Sequence, residues 1–190
     1  MFDQSSLPEA LEALGELLGD RGHRYEVVAI GGGSLLLLGL IERPTKDLDL
    51  VALLVGGQLT NPVPLPAPLQ EAATDVMRVM ELNADWFNAG PASMLELGLP
   101  PGFLERTVRL EYGGLTVHVA SRFDQICFKL YAAADDSPRG KHFADLKLLA
   151  PSAKELEVAV TWVHTHDSSD GFRTIVAQVI DARGAGHGNV

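Results

Sequence analysis

The apolar positions of this chain change period several times, and each change marks an element. Ser6 and Pro8 open a first helix as N-cap and first-turn proline, and Gly19-Asp20 close it near residue 20. Tyr25 to Ile30 is an apolar, β-branched run that stops at three glycines, which predicts a strand. Ser34 to Ile41 is apolar all round and predicts a short buried helix. A second strand is expected over Asp47 to Val55, and the Gly- and Pro-rich stretch Gly56 to Pro68 reads as a loop. Leu69 to Leu82 returns to helical period, with Ala72, Val76, Val79 and Met80 on one side.

Further on, Asn83 to Gly90 reads as irregular or as a short-strand crossover, and Pro91 to Gly102 as a loop with a turn of helix. Gly113-Gly114 between Thr107–Tyr112 and Leu115–Ala120 is a two-residue hairpin signal. Helices are predicted at 121–134, 140–150, 153–166 and 170–183, with Ser152 and Glu155 as a capping box for the third. The tail, Gly184 to Val190, should fray. The order implies an α/β (α+β) fold. A mixed sheet flanked by helices is expected over residues 1–120, and a C-terminal helical part of the same compact unit over 121–190.

Composition narrows the setting. At 190 residues and 46% hydrophobic content, one compact domain is the simplest reading. The greasiest run, Leu35 to Ile41, is far shorter than the roughly 20 residues of a membrane span. The start, Met1-Phe2-Asp3-Gln4, lacks the basic and apolar regions of a signal peptide. The single Cys127 makes no internal disulfide and has no metal-ligand spacing. A cytoplasmic protein without membrane contact is expected. The net charge of −10 weighs against a simple nucleic-acid binder, because phosphate neutralisation dominates such binding. Arg139, Lys141 and Lys147 nevertheless fall near one another, with Lys129 and Arg122 upstream, which is compatible with a local basic cleft.

The chemistry is concentrated between residues 29 and 50. Ala29-Ile30-Gly31-Gly32-Gly33-Ser34 is a glycine turn that opens a helix, and Arg43-Pro44-Thr45-Lys46-Asp47-Leu48-Asp49-Leu50 leads into a strand. In extended chain, residues i and i+2 point to one face, so Asp47 and Asp49 converge. Two hard carboxylates on a rigid strand suit Mg²⁺, which takes its remaining ligands from water and substrate phosphates. The turn ahead of them suits a triphosphate, because free N–H groups attract anions and glycine lets the backbone approach.

This arrangement resembles the nucleotidyltransferase fold of the DNA polymerase β superfamily. In that group a hydrophobic residue and Gly-Gly or Gly-Ser precede, by a spacer of about a dozen residues, Asp-hydrophobic-Asp-hydrophobic. The nearer likeness is to the bacterial toxin-type branch, the AbiEii/MenT-like nucleotidyltransferases, whose spacer ends as Arg43, Thr45, Asp47 and Asp49 do here. The stretch from Ser121 to Leu130, then Arg139-Gly140-Lys141-His142-Phe143-Ala144-Asp145, is similar to the second half of that pattern. The resemblance implies a metal-dependent transfer of NMP from an NTP to an acceptor hydroxyl, with Mg²⁺ or Mn²⁺ as cofactor. It places the metal on Asp47 and Asp49, and the nucleotide on Gly31, Gly32, Ser34, Thr45 and Lys129. Asp145 completes the catalytic set with Asp47, Asp49 and Lys129. It further implies a toxin that adds nucleotides to the tRNA 3′ end and has a cognate antitoxin protein. Two departures stand out: His118 lies roughly where the superfamily often has a third carboxylate, and His142 where relatives have an aspartate.

Plainer readings exist for single residues. Gly31 to Gly33 serve as an ordinary strand-to-helix turn; Thr45 stabilises the turn before the strand, or alternatively touches or accepts phosphate. Lys129 snorkels from an apolar helix face; Asp145 pairs with Lys141 at i,i+4; His118 is a surface residue of its strand. Two other function classes fit the sequence. One is a small-molecule, antibiotic-type nucleotidyltransferase, favoured by the acidic charge. The other is a non-catalytic nucleotide-binding module of the same fold.

Overall fold

The structure, a computed structural model, describes residues 1–136 and 140–185. Arg139 and the tail beyond residue 185, both read above from sequence, lie outside the described residues. The chain folds as two compact units, residues 1–121 and 122–190. The architecture is α+β, a mixed six-stranded sheet in the first unit and helices in the second. Among the described residues no helix is long and apolar enough to cross a membrane.

In the first unit α1 (Ser6–Asp20) places Leu7, Ala10, Leu11, Leu14 and Leu18 at helical spacing, each fully buried. Its start departs from expectation. Ser6 is the first helical residue, and Asp3 receives the N–H groups of Ser5 and Ser6 at 3.0 and 2.9 Å. A carboxylate outcompetes a hydroxyl for these donors, and the bonds hold the Asp3 carboxyl well below its ordinary pKa. Gly15 lies so close to the Gly113-Gly114 hairpin that Gly114 N–H donates to the Gly15 carbonyl at 2.8 Å.

The central strand β1 (Tyr25–Ile30) is buried along Val27–Ile30 and pairs antiparallel with β2 (Leu48–Val55) and parallel with β6 (Leu115–Val119). The strand β5 (Val108–Tyr112) joins β6 through the expected Gly113-Gly114 hairpin. The stretch read as a loop after residue 56 contains a strand, β3 (Gln58–Thr60). Gly56 and Gly57 both have positive φ, the geometry of a tight hairpin turn, and a three-residue strand is too short to show a period. The helix α3 (Ala67–Val79) starts and ends slightly before the expected bounds. The short-strand crossover is β4 (Phe87–Asn88), parallel to β2 with Leu48 opposite Phe87 and Asp49 opposite Asn88. A short helix, α4 (Ser93–Leu97), follows. Buried Trp86 fixes this crossover: its indole N–H donates to the Ala73 carbonyl at 3.0 Å, and its ring meets Phe2 and Phe87.

The second unit consists of α5 (Arg122–Asp135), α6 (Lys141–Leu148), α7 (Ala153–His166) and α8 (Asp170–Ala185). The Ser152–Glu155 capping box forms as predicted. Arg122 pairs with Glu155 and donates to the Leu149 and Ala150 carbonyls, tying α5 to the start of α7. The Phe128 and Trp162 rings meet edge to face at 5.5 Å, which gives α5 and α7 an aromatic seam.

Candidate active site

The helix after β1 begins earlier than its apolar run suggests. α2 spans Gly31–Leu37, so the glycines are its first turn rather than a loop ahead of it. The sequence chooses glycine here because this turn presses against the segment leading into β2. A Cβ on Gly33 would lie 2.6 Å from the Asp47 carbonyl oxygen, and one on Gly32 3.0 Å from the Thr45 hydroxyl. Gly31 has φ +83°, and a Cβ there would lie 2.8 Å from Asp49 Oδ2. The two halves of the sequence pattern, separated by a dozen residues, thus form one group inside the first unit.

Asp47 stands immediately before β2 and Asp49 is its second residue, both half-buried. Thr45 is buried; its backbone exchanges hydrogen bonds with Phe2 at 2.7 and 3.0 Å, and its hydroxyl donates to the Asp47 carbonyl at 3.4 Å. It therefore holds the turn, as its plainer reading has it, while its oxygen borders Gly32. Ser34 is fully buried and its hydroxyl has no hydrogen-bond partner among the described residues. A buried hydroxyl left this way forfeits a bond normally worth about 1 kcal/mol. Two residues here escaped the sequence reading as participants. The Arg43 guanidinium comes within 3.5 Å of the Gly32 Cβ position, although Arg43 served only as a landmark of spacing. Asn88 donates from Nδ2 to Asp49 Oδ1 at 3.3 Å, and nothing in its local sequence signals that.

Lys129 and Asp145 are brought together in the second unit. Their side chains form an ion pair at 2.8 Å, with 5% and 0% exposed. Lys129 does not snorkel, and the ion partner of Asp145 at that distance lies on α5 rather than one turn away on α6. Arg122 and Lys129 are thus both engaged with acids, which leaves less of the expected basic cleft. Half-buried His142 has its pKa pushed below the ordinary imidazole value by burial, then by the Lys129 and Lys141 charges; Asp136 and Asp145 act in the opposite direction.

His118 is a buried residue, not a surface one, and its Nε2 sits 2.7 Å from Glu26 Oε2. In the parallel register His118 is opposite Val28, while Asp49 is opposite Ile30. Glu26 draws the ring toward the end of β1 away from Asp49.

Among the described residues no group of three or more His, Cys, Asp or Glu is placed to hold a metal ion. The donor set at β2 nevertheless fits Mg²⁺ or Mn²⁺. Two carboxylates are the usual protein share of a site whose other ligands are water and phosphate. Glycine at 31 lets the backbone approach Asp49 Oδ2, since a Cβ there would lie 2.8 Å from it.

Comparison with curated proteins finds no match. The family described as "Nucleotidyltransferase of unknown function (DUF6036)" matches residues 6–139, well over half of the chain. The matched stretch includes the glycine turn, Thr45, both aspartates and Lys129, while Asp145 follows it. The chain belongs to this family of nucleotidyltransferases.

Proposed function

We propose that this protein transfers NMP from an NTP to an acceptor hydroxyl, and that it acts as the tRNA-modifying toxin of a toxin–antitoxin pair. The observation that carries the transfer chemistry is the close approach of Gly31 and Gly32 to Asp49 and Thr45. Backbone N–H groups of Gly31 and Gly32 hold the triphosphate, with Ser34 expected beside them by the resemblance but fully buried in this structure; Thr45 borders it and Arg43 offsets part of its charge. The acceptor oxygen attacks the α-phosphorus in line, the bond to the bridging oxygen breaks, and pyrophosphate leaves with the electron pair. Asp47 and Asp49 would hold Mg²⁺ or Mn²⁺, which when bound supplies positive charge to the attacking and leaving oxygens. By the resemblance, Lys129 would neutralise phosphate charge and Asp145 would take the proton of the acceptor hydroxyl.

Purified protein incubated with each α-labelled NTP, Mg²⁺ or Mn²⁺ and total tRNA tests this, beside Asp47→Ala. Label in tRNA that requires the aspartate is expected. Label in neither RNA nor protein with either metal would sink the proposal. The net charge of −10 favours one second reading, a cationic small-molecule acceptor. Label moving to an aminoglycoside rather than to tRNA, seen by mass spectrometry, would establish it.

A further inference from the structure

The structure assigns to Asn88 the task of orienting the Asp49 carboxylate, an inference that rests on the metal-dependent transfer proposed above. Three bonds define the amide. Its Oδ1 accepts the Gly90 N–H at 2.7 Å, while its Nδ2 donates to the Asp85 carbonyl at 3.1 Å and to Asp49 Oδ1 at 3.3 Å. The Gly90 donor fixes which end is oxygen, so a donor and not an acceptor faces Asp49. Glycine at 90 lets the amide keep this position, since a Cβ there would lie 2.9 Å from Asn88 Oδ1.

The two-residue strand β4 makes sense in this light. It is too short to add much to the sheet, yet it puts Asn88 directly opposite Asp49. Its register is locked by the Leu48 N–H donating to the Trp86 carbonyl at 2.7 Å, and by buried Trp86 and Phe87. The choice of an amide has a chemical reason. A lysine or arginine would orient the carboxylate but cancel the charge a divalent cation needs, whereas a neutral donor orients it and leaves the charge. Carboxylate ligands of metals are commonly held by such an outer hydrogen bond, and losing it costs roughly 10–100-fold in metal affinity or activity. Asn88 is accordingly a positioning residue, acting through Asp49.

The test is Mn²⁺ binding without nucleotide, read from the electron paramagnetic resonance signal of free Mn²⁺, in wild type, Asp49→Asn, Asn88→Ala and Asn88→Asp. Asn88→Asp keeps the oxygen that accepts from Gly90 and replaces the Nδ2 donor, which serves both Asp49 and the Asp85 carbonyl. Comparing it with Asn88→Ala, which loses the Gly90 bond as well, separates the bonds of the nitrogen from the brace on the oxygen. Both Asn88 variants are expected to bind Mn²⁺ about 10-fold or more weakly. Asn88→Asp should melt closer to wild type than Asn88→Ala does, and Asn88→Ala added to Asp49→Asn should change Mn²⁺ binding no further. Wild-type or tighter Mn²⁺ binding by Asn88→Asp, with binding lost in Asp49→Asn, overturns the role of Asn88 and leaves the proposed reaction standing. Equal binding by wild type and Asp49→Asn, or by neither, overturns the metal reading itself and this inference with it.

Discussion

Replacing Lys129 by methionine separates architecture from chemistry in the second unit. The substitution keeps the length and apolar stem of the side chain but deletes the ammonium 2.8 Å from Asp145. Asp145 is fully buried, so water cannot take over the solvation of its charge. A buried pair broken on one side typically costs about 3–5 kcal/mol, since the surviving charge has lost the opposite charge of that pair. Asp145→Leu strands the lysine in the same way and belongs in the same range. The double variant Lys129→Met/Asp145→Leu removes both charges and fills the space with apolar atoms. It is expected to lie between neutral and about 4 kcal/mol more stable than wild type. Urea denaturation followed by far-UV circular dichroism reads these differences. With a slope of about 2 kcal/mol/M, each single variant loses roughly 2 M in midpoint. A double variant destabilised by the sum of the singles would refute the reasoning, because the two charges would then be independent. The double variant also tests the catalytic roles: folded protein that still transfers nucleotide would remove Lys129 and Asp145 from the reaction.

Gly31→Ala should cost about 1–2 kcal/mol for a side chain at positive φ, and push Asp49 aside. Folded protein with lost Mn²⁺ binding is the expected result, and unchanged binding would show that Asp49 has room to spare. Gly15→Ala would set a Cβ 1.6 Å from the Tyr112 carbonyl oxygen, backbone against backbone. Destabilisation at or beyond the roughly 3 kcal/mol of ordinary overpacking is expected, measured as the urea midpoint. Glu155 has its pKa lowered from 4.5 by the Ser152 N–H first, with Arg122 adding to the effect. Its contribution is therefore fully present above about pH 4.5 and is lost as pH falls through the lowered folded value. Urea midpoints measured down to about pH 3 should fall in that window, and fall less in Glu155→Gln.

What could be read from the sequence follows the range of the interactions involved. Strand β1 and the Gly113-Gly114 hairpin were legible because burial and turn chemistry repeat over several neighbouring residues. So was the juxtaposition of the glycine turn with Asp47 and Asp49, through its spacing and resemblance. The helix bounds near the site were not. The leucines after Ser34 announce a buried helix, but that it begins at Gly31 depends on the Asp47 carbonyl pressing against Gly33. In sequence, three glycines look like a loop; only the facing backbone turns them into a contact surface.

Asn88 marks the limit more sharply. A two-residue strand has no period, and the register Asp49–Asn88 is imposed by Trp86, whose own anchor is a carbonyl 13 residues earlier. His118 is missed in the same way: polar in an apolar stretch, it reads as a surface position until Glu26 arrives from elsewhere in its unit. Local pattern thus locates the two carboxylates, whereas the groups that hold charges in place are chosen by tertiary contact. That division has a physical cause. A metal-ligating pair on a strand is a period-two feature of one segment, while the donor that steadies it has to come from another segment with its own hydrogen bonds already satisfied.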